Sequence, residues 1–131
     1  MYMTRVYYQD TDAGGVVYFA NYLRFVEKSW FEYLMSIGIS LPEWEKSDTY
    51  VMVKTVFLDM SEKVMYGDLI RVDTSVKEVK NTNFVLIHTI TKEDRAVTKI
   101  ETRMVCVDGS GKLKRMPKPF MENLANRVVA T

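Results

Sequence analysis

NYLRFVEKSWFEYLMSI, Asn21–Ile37, is the stretch that decides the fold. Leu23, Val26, Trp30, Leu34 and Ile37 recur at spacings of three and four, which predicts a helix. Tyr22, Phe25 and Tyr33 widen its apolar face. A helix apolar over so much of its circumference needs a sheet that embraces it. Asn21 is placed to cap it through its side-chain oxygen, and Gly38 to end it. Upstream, Met1–Tyr8 reads as a strand leading into the polar stretch Gln9–Gly15. Downstream, Pro42 marks a loop that also holds Glu43, Trp44 and Glu45. The period then changes to two. Tyr50–Leu58 reads as a strand, Gly67-Asp68 as a turn, and Leu69–Val79 as a strand with one buried and one wet face. There Ile70, Val72, Thr74 and Val76 alternate with Arg71, Asp73, Ser75 and Lys77. Phe84–Thr91 and Ala96–Val107 are two further strands, separated by Lys92-Glu93-Asp94. Pro117 and Pro119 are expected to block helix after Asp108-Gly109-Ser110-Gly111. Strand, long helix and four strands make an α+β chain, with an antiparallel meander curled around the helix.

The chain has 131 residues, read as one domain over 1–131 with 125–131 frayed. Eighteen Lys and Arg against 17 Asp and Glu leave a formal charge of +1, which argues against nucleic acid as a partner. The single cysteine, Cys106, permits no internal disulfide and fits a reducing, cytoplasmic setting. No apolar run approaches the roughly 18 residues a membrane span needs, and the N-terminus lacks a basic-then-apolar signal pattern. Neither a phosphate loop nor a dinucleotide glycine motif is present.

The chemistry concentrates in YYQDTDAGGVVYFANY, Tyr7–Tyr22. Two readings of Asp10, Asp12, Gly14 and Gly15 compete: an Asx-type turn, or a reactive carboxylate beside a helix N-terminus. His88 and Cys106 stand on separate strands with no third orienting group, so both read as core side chains rather than a catalytic pair. One His and one Cys do not make a metal site.

The pattern Tyr8-x-Asp10-Thr11-Asp12-x-x-Gly15-x-Val17-Tyr18-x-x-x-Tyr22, followed by a long aromatic-rich helix, resembles the hotdog-fold acyl-CoA thioesterases of the 4-hydroxybenzoyl-CoA thioesterase type. These include the Tol–Pal-associated branch. The likeness spans nearly the whole chain, including Gly67-Asp68 and Pro117-x-Pro119. It implies a helix wrapped by an antiparallel sheet, and a homo-oligomer, dimer or tetramer, built by pairing open sheet edges with active sites at the interface. It implies an acyl-CoA or acyl-carrier-protein substrate, water as co-substrate and no cofactor or metal. Asp12 becomes the catalytic carboxylate, as nucleophile or as general base on water. The Phe19 backbone amide becomes the oxyanion donor at the helix start, with Tyr18 beside it in the catalytic set. Gly14, Gly15, Val17, Asn21 and Tyr22 are assigned to the substrate, and Lys80 to a coenzyme A phosphate. Asp10 is read as structural. The Tol–Pal-associated branch commonly has histidine where this chain has Phe19. A non-catalytic acyl-binding protein on the same fold is the alternative. A hotdog hydratase would need a histidine on the loop-helix segment, and none precedes His88.

Overall fold

The computed structural model describes residues 1–129. The elements in chain order are β1 (Tyr2–Arg5), α1 (Tyr22–Ser36), α2 (Leu41–Glu45), β2 (Tyr50–Met60), β3 (Leu69–Val79), β4 (Asn83–Lys92), β5 (Arg95–Val107) and α3 (Lys118–Ala125). Short 3-10 turns at Tyr8–Asp10 and Phe19–Asn21 separate β1 from α1. The α+β class is as expected.

The strands form a five-stranded sheet in the order β1-β3-β4-β5-β2. Strand β1 runs antiparallel to β3, with Tyr2 opposite Val72 and Arg5 opposite Leu69. This corrects the meander: only β3, β4 and β5 follow one another across the sheet, while β2 lies on the far side of β5. The connection Ser61–Asp68 is no hairpin turn, because its backbone groups bond to other parts of the chain along most of its length. The β4–β5 hairpin is tight, and both Glu93 (φ 50°) and Asp94 (φ 62°) are left-handed, the geometry of a turn matched to strand twist.

Contacts divide the residues into two compact units. The first comprises Met1–Tyr33, Leu58–Thr74 and His88–Ile100. Its α1 residues bury Tyr22, Phe25, Val26, Ser29 and Trp30, again at helical spacing. Leu23, expected on that stripe, is exposed, so the buried face is rotated toward Tyr22 and Phe25. The β3 alternation puts Ile70 and Val72 in the core, as expected. Ser29 Oγ lies 2.7 Å from Thr74 Oγ1, which lies 3.0 Å from His88 Nδ1, so the core carries a polar chain from helix to sheet. His88 is fully buried, and burial pushes its imidazole down to about 3, which keeps it neutral at ordinary pH.

The second unit comprises Leu34–Phe57, Ser75–Ile87 and the chain from Glu101 onward. Here α1 ends in a Schellman motif: Gly38 (φ 87°) donates to the Met35 carbonyl and Ile39 to that of Leu34. Two stretches expected as loop are helical. Ser40 accepts the Glu43 N–H and starts the single turn α2, with Pro42 in its first turn. Pro117 and Pro119 likewise flank the start of α3, where their missing N–H groups cost no helical bond, and Phe120 and Leu124 bury one turn apart. Phe120 meets Trp44 and Phe84 edge-on. Cys106 is buried and free. The tail does not hang loose over its described part: Val128 pairs with Val76, and Val129 N–H donates to the Val76 carbonyl at 2.9 Å. Ala130 and Thr131, in the stretch expected to fray, lie outside the described residues. In this unit Met52, Val53, Val56 and Phe57 of β2, at the end of the strand order, are exposed.

Candidate active site

Asp12 sits at the head of a closed turn in the first unit. Thr11 and Val17 face each other across an isolated antiparallel bridge. Between them the Asp12 N–H donates to the Val16 carbonyl at 2.9 Å, and the Gly15 N–H to the Asp12 carbonyl at 3.0 Å. Asp12 Oδ1 accepts the Gly14 N–H at 2.9 Å. This is the Asx-type turn, yet the side chain stays exposed, so the turn aims the carboxylate outward without consuming it. Gly15 is demanded twice over. Its φ of 77° is left-handed, and an added Cβ would meet the Tyr66 ring at 3.2 Å.

Asp10 ties this turn to the helix start. Its Oδ2 accepts the Tyr7 N–H and its Oδ1 accepts Asn21 Nδ2, both at 2.9 Å. Its carbonyl accepts the Tyr18 N–H at 3.0 Å. The structural role read for Asp10 is therefore visible bond by bond. Asn21 does not cap α1 as expected. It lies inside the 3-10 turn Phe19–Asn21 that runs into Tyr22, the first residue of α1, and its Nδ2 donates to Asp10. Tyr18 supplies no side-chain cap to that turn. The first N–H groups of a helical turn have no acceptor within it, so the Phe19 amide is a donor at the start of the helix. The Tyr18 and Phe19 side chains are exposed.

The other flank of the turn is the segment after β2. Val17 N–H donates to the Val64 carbonyl at 2.7 Å, Val16 bridges to Met65, and Tyr66 N–H donates to the Gly15 carbonyl at 3.2 Å. Tyr66 also stacks on Tyr8, with ring centroids 4.3 Å apart. A cavity of about 220 Å³ opens here, lined by Val16, Val17, Tyr22, Met60, Lys63 and Val64 among others. Burial raises the Tyr22 hydroxyl pKa, against the opposing pull of Thr98 and the Lys92 charge. Asp12, Gly14, Gly15, Val17, Tyr18, Phe19, Asn21 and Tyr22 are thus all in one unit.

Lys80 is in the second unit, exposed in the turn from β3 to β4, where its N–H donates to the Asn83 carbonyl at 2.7 Å. The cavity lining brings forward residues the sequence reading gave no role, among them Met60, Lys63 and Val64. Local pattern carries no signal for them, because their place beside the motif depends on pairing between segments far apart in sequence. Size does not select the site. A cavity of about 420 Å³ lies in the second unit along Tyr50, Met52 and Val107, but Asp108 on its rim is tied into its own turn, with Oδ1 accepting from the Ser110 and Lys112 N–H groups. Among the described residues no group of three or more His, Cys, Asp or Glu is arranged to hold a metal ion.

A thioesterase-like superfamily model matches residues 6–124. The acyl-CoA thioesterase YbgC of Haemophilus influenzae is 36% identical over 116 residues, spanning 88% of this chain and 85% of that protein. The 1,4-dihydroxy-2-naphthoyl-CoA hydrolase of Microcystis aeruginosa is 29% identical, over 90% of this chain and 86% of its own length. The crystal structure of a hypothetical protein from Aquifex aeolicus superposes with a TM-score of 0.87 at 29% identity, covering 94% of this chain and 97% of that one. The crystal structure of a Synechocystis thioesterase, Slr0204, superposes with a TM-score of 0.84 at 22% identity, covering 95% of this chain and 94% of that one, and both structures share the curled antiparallel sheet with its long helix that was expected as a hotdog fold.

Proposed function

This chain belongs to the thioesterase-like superfamily, and we propose that it hydrolyses acyl-CoA thioesters to free acid and coenzyme A with Asp12 as the reacting carboxylate. It is a thioester hydrolase. The observation that carries the Asp12 assignment is the turn itself: an exposed carboxylate, held by the Gly14 N–H, in a loop that runs into the helix start and whose Val16 and Val17 line a cavity.

The chemistry takes one of two routes. Asp12 removes a proton from water, which adds to the thioester carbonyl; or Asp12 adds directly, and water then opens the mixed anhydride. In both, the carbonyl oxygen gains charge and needs a donor, the role assigned to the Phe19 amide with Tyr18 flanking it. The C–S bond then breaks, and the thiolate leaves and takes up a proton. Val17 and Tyr22 wall the acyl group, while Gly14 and Gly15 keep the approach to Asp12 free of side chains. Asn21 serves by holding Asp10. Lys80 is the cation offered to a coenzyme A phosphate. The chain works as one domain, in the cytoplasm, as a homotetramer or dimer assembled through the open β2 edge, whose exposed apolar residues favour a partner. The test is free-thiol release from a panel of short, long and aromatic acyl-CoAs. Release from at least one is expected; release from none, with tight binding retained, would make the chain an acyl-binding protein instead.

A further inference from the structure

The segment Ser61–Asp68 contains no helix or strand, yet its middle, Val64–Tyr66, is bonded to the Asp12 loop. Val64, Met65 and Tyr66 pair with Val17, Val16 and Gly15. Beyond them the Gly67 N–H donates to the Val6 carbonyl at 2.7 Å, and Val6 N–H returns to the Asp68 carbonyl at 2.8 Å. Whatever fixes this segment therefore fixes the height at which Asp12 stands.

Arg5 Nη1 holds one end, donating to the Gly67 carbonyl at 2.7 Å, and the Asp68 side chain holds the middle. Asp68 Oδ2 accepts the Met65 N–H at 2.8 Å and lies 2.8 Å from Lys92 Nζ. Lys92 is the last residue of β4, so its stem is anchored in the sheet. Of the ion pairs among the described residues, this is the only one with both side chains under a quarter exposed, at 20% and 22%. Exposed pairs contribute little, whereas a sheltered carboxylate shared by an ammonium and a backbone N–H is a strong, directional tie. The Lys92 charge also reaches the Tyr22 hydroxyl on the cavity wall.

We propose that Asp68 and Lys92 are positioning residues for the Asp12 chemistry: Lys92 holds Asp68, Asp68 holds the Met65 amide, and Val64–Tyr66 set the position of the Asp12 turn. The proposal rests on Asp12 being the reacting group. Reactions of this kind need near-contact geometry, and a misplacement of about 1 Å costs on the order of a hundredfold in rate.

The experiment compares wild type with Lys92→Met, Lys92→Arg, Asp68→Asn and Asp12→Asn on one acyl-CoA that the wild type turns over, recording kcat, KM and Tm. Lys92→Met and Asp68→Asn should lower kcat about ten- to a hundredfold, with KM within about threefold of wild type. Lys92→Arg should recover most of the lost kcat, since a guanidinium still donates to Asp68. Asp68→Asn keeps the side-chain shape and guards against a misfolded Lys92→Met. A merely structural pair would lower Tm and leave kcat unchanged well below Tm. If Asp12→Asn is inactive while Lys92→Met and Asp68→Asn turn over within about twofold of wild type, the positioning role is overturned and the Asp12 reading survives. If Asp12→Asn keeps wild-type turnover, the Asp12 reading falls and this proposal falls with it.

Discussion

The chain builds the same turn twice. At Asp12–Gly15 and at Asp108–Gly111, aspartate opens the turn and a left-handed glycine closes it, with φ of 77° and 87°. In both, the glycine N–H donates to the aspartate carbonyl at 3.0 Å, and the aspartate N–H to the residue after the turn at 2.9 Å. The carboxylates differ. Asp108 Oδ1 accepts from Ser110 N, Ser110 Oγ and Lys112 N, at 2.9, 2.7 and 3.1 Å. These bonds, led by the Ser110 hydroxyl, hold its carboxyl below the ordinary range. Among the described residues Asp12 Oδ1 accepts only from Gly14, where the other turn has a serine. One turn uses its acid to close a hairpin; the other leaves it facing solvent. The backbone makes the turn, and the number of donors decides whether the acid is left to react.

Exchanging each acid for its amide is the strongest way to break this comparison. Asn accepts the Gly14 N–H as Asp does, so Asp12→Asn should keep its Tm while turnover falls about 10²- to 10⁴-fold, as thiol-release kinetics and a thermal melt would show. Asp108→Asn should do the reverse, melting lower with turnover unchanged. The pH dependence has a definite sign. The Asp108 carboxyl is lowered on folding, so its stabilisation is complete above the unfolded value of about 3.9 and is lost as pH falls through the folded one. Acid unfolding of Asp108→Asn should lack that contribution.

The glycines give the next effect. Gly15→Ala faces both the left-handed penalty and the Tyr66 ring, whereas Gly111→Ala has open space around it. Chemical denaturation should cost Gly111→Ala about 1 kcal/mol and Gly15→Ala more, with turnover lost only in the latter. Equal costs would mean that Tyr66 simply moves aside. The smallest effect tests a turn built without glycine. Asp94→Gly relieves a left-handed aspartate and should stabilise the β4–β5 hairpin by roughly 0.5–1 kcal/mol.

What could be read in the sequence was what is local. The α1 span, its Gly38 end, the β3 alternation and the Glu93-Asp94 turn each follow from a few neighbouring residues. Helices α2 and α3 were hidden by prolines, although Ser40-x-x-Glu43 is a capping signature and proline is welcome in a first turn. The strand order was hidden for a deeper reason. Nothing in Tyr50–Met60 names β5 as its neighbour, since pairing partners are chosen by the whole sheet. The candidate site divides the same way. Asp12, Gly14 and Gly15 stand out in the motif. Lys63, Val64 and the Asp68–Lys92 tie do not, because they reach the loop only through pairing between distant segments. Asn21 was misread as a cap because the helical turn begins earlier, at Phe19, and the Asp10 that its amide bonds lies eleven residues back.

The most direct test of the central claim separates binding from chemistry at Asp12. Calorimetry gives the Kd of an acyl-CoA for Asp12→Asn, and thiol release is followed on the same sample. The account predicts a Kd near that of wild type, measured with a non-hydrolysable analogue, and no appreciable turnover. Wild-type turnover in the variant would contradict it, and so would a loss of binding that matched the loss of rate.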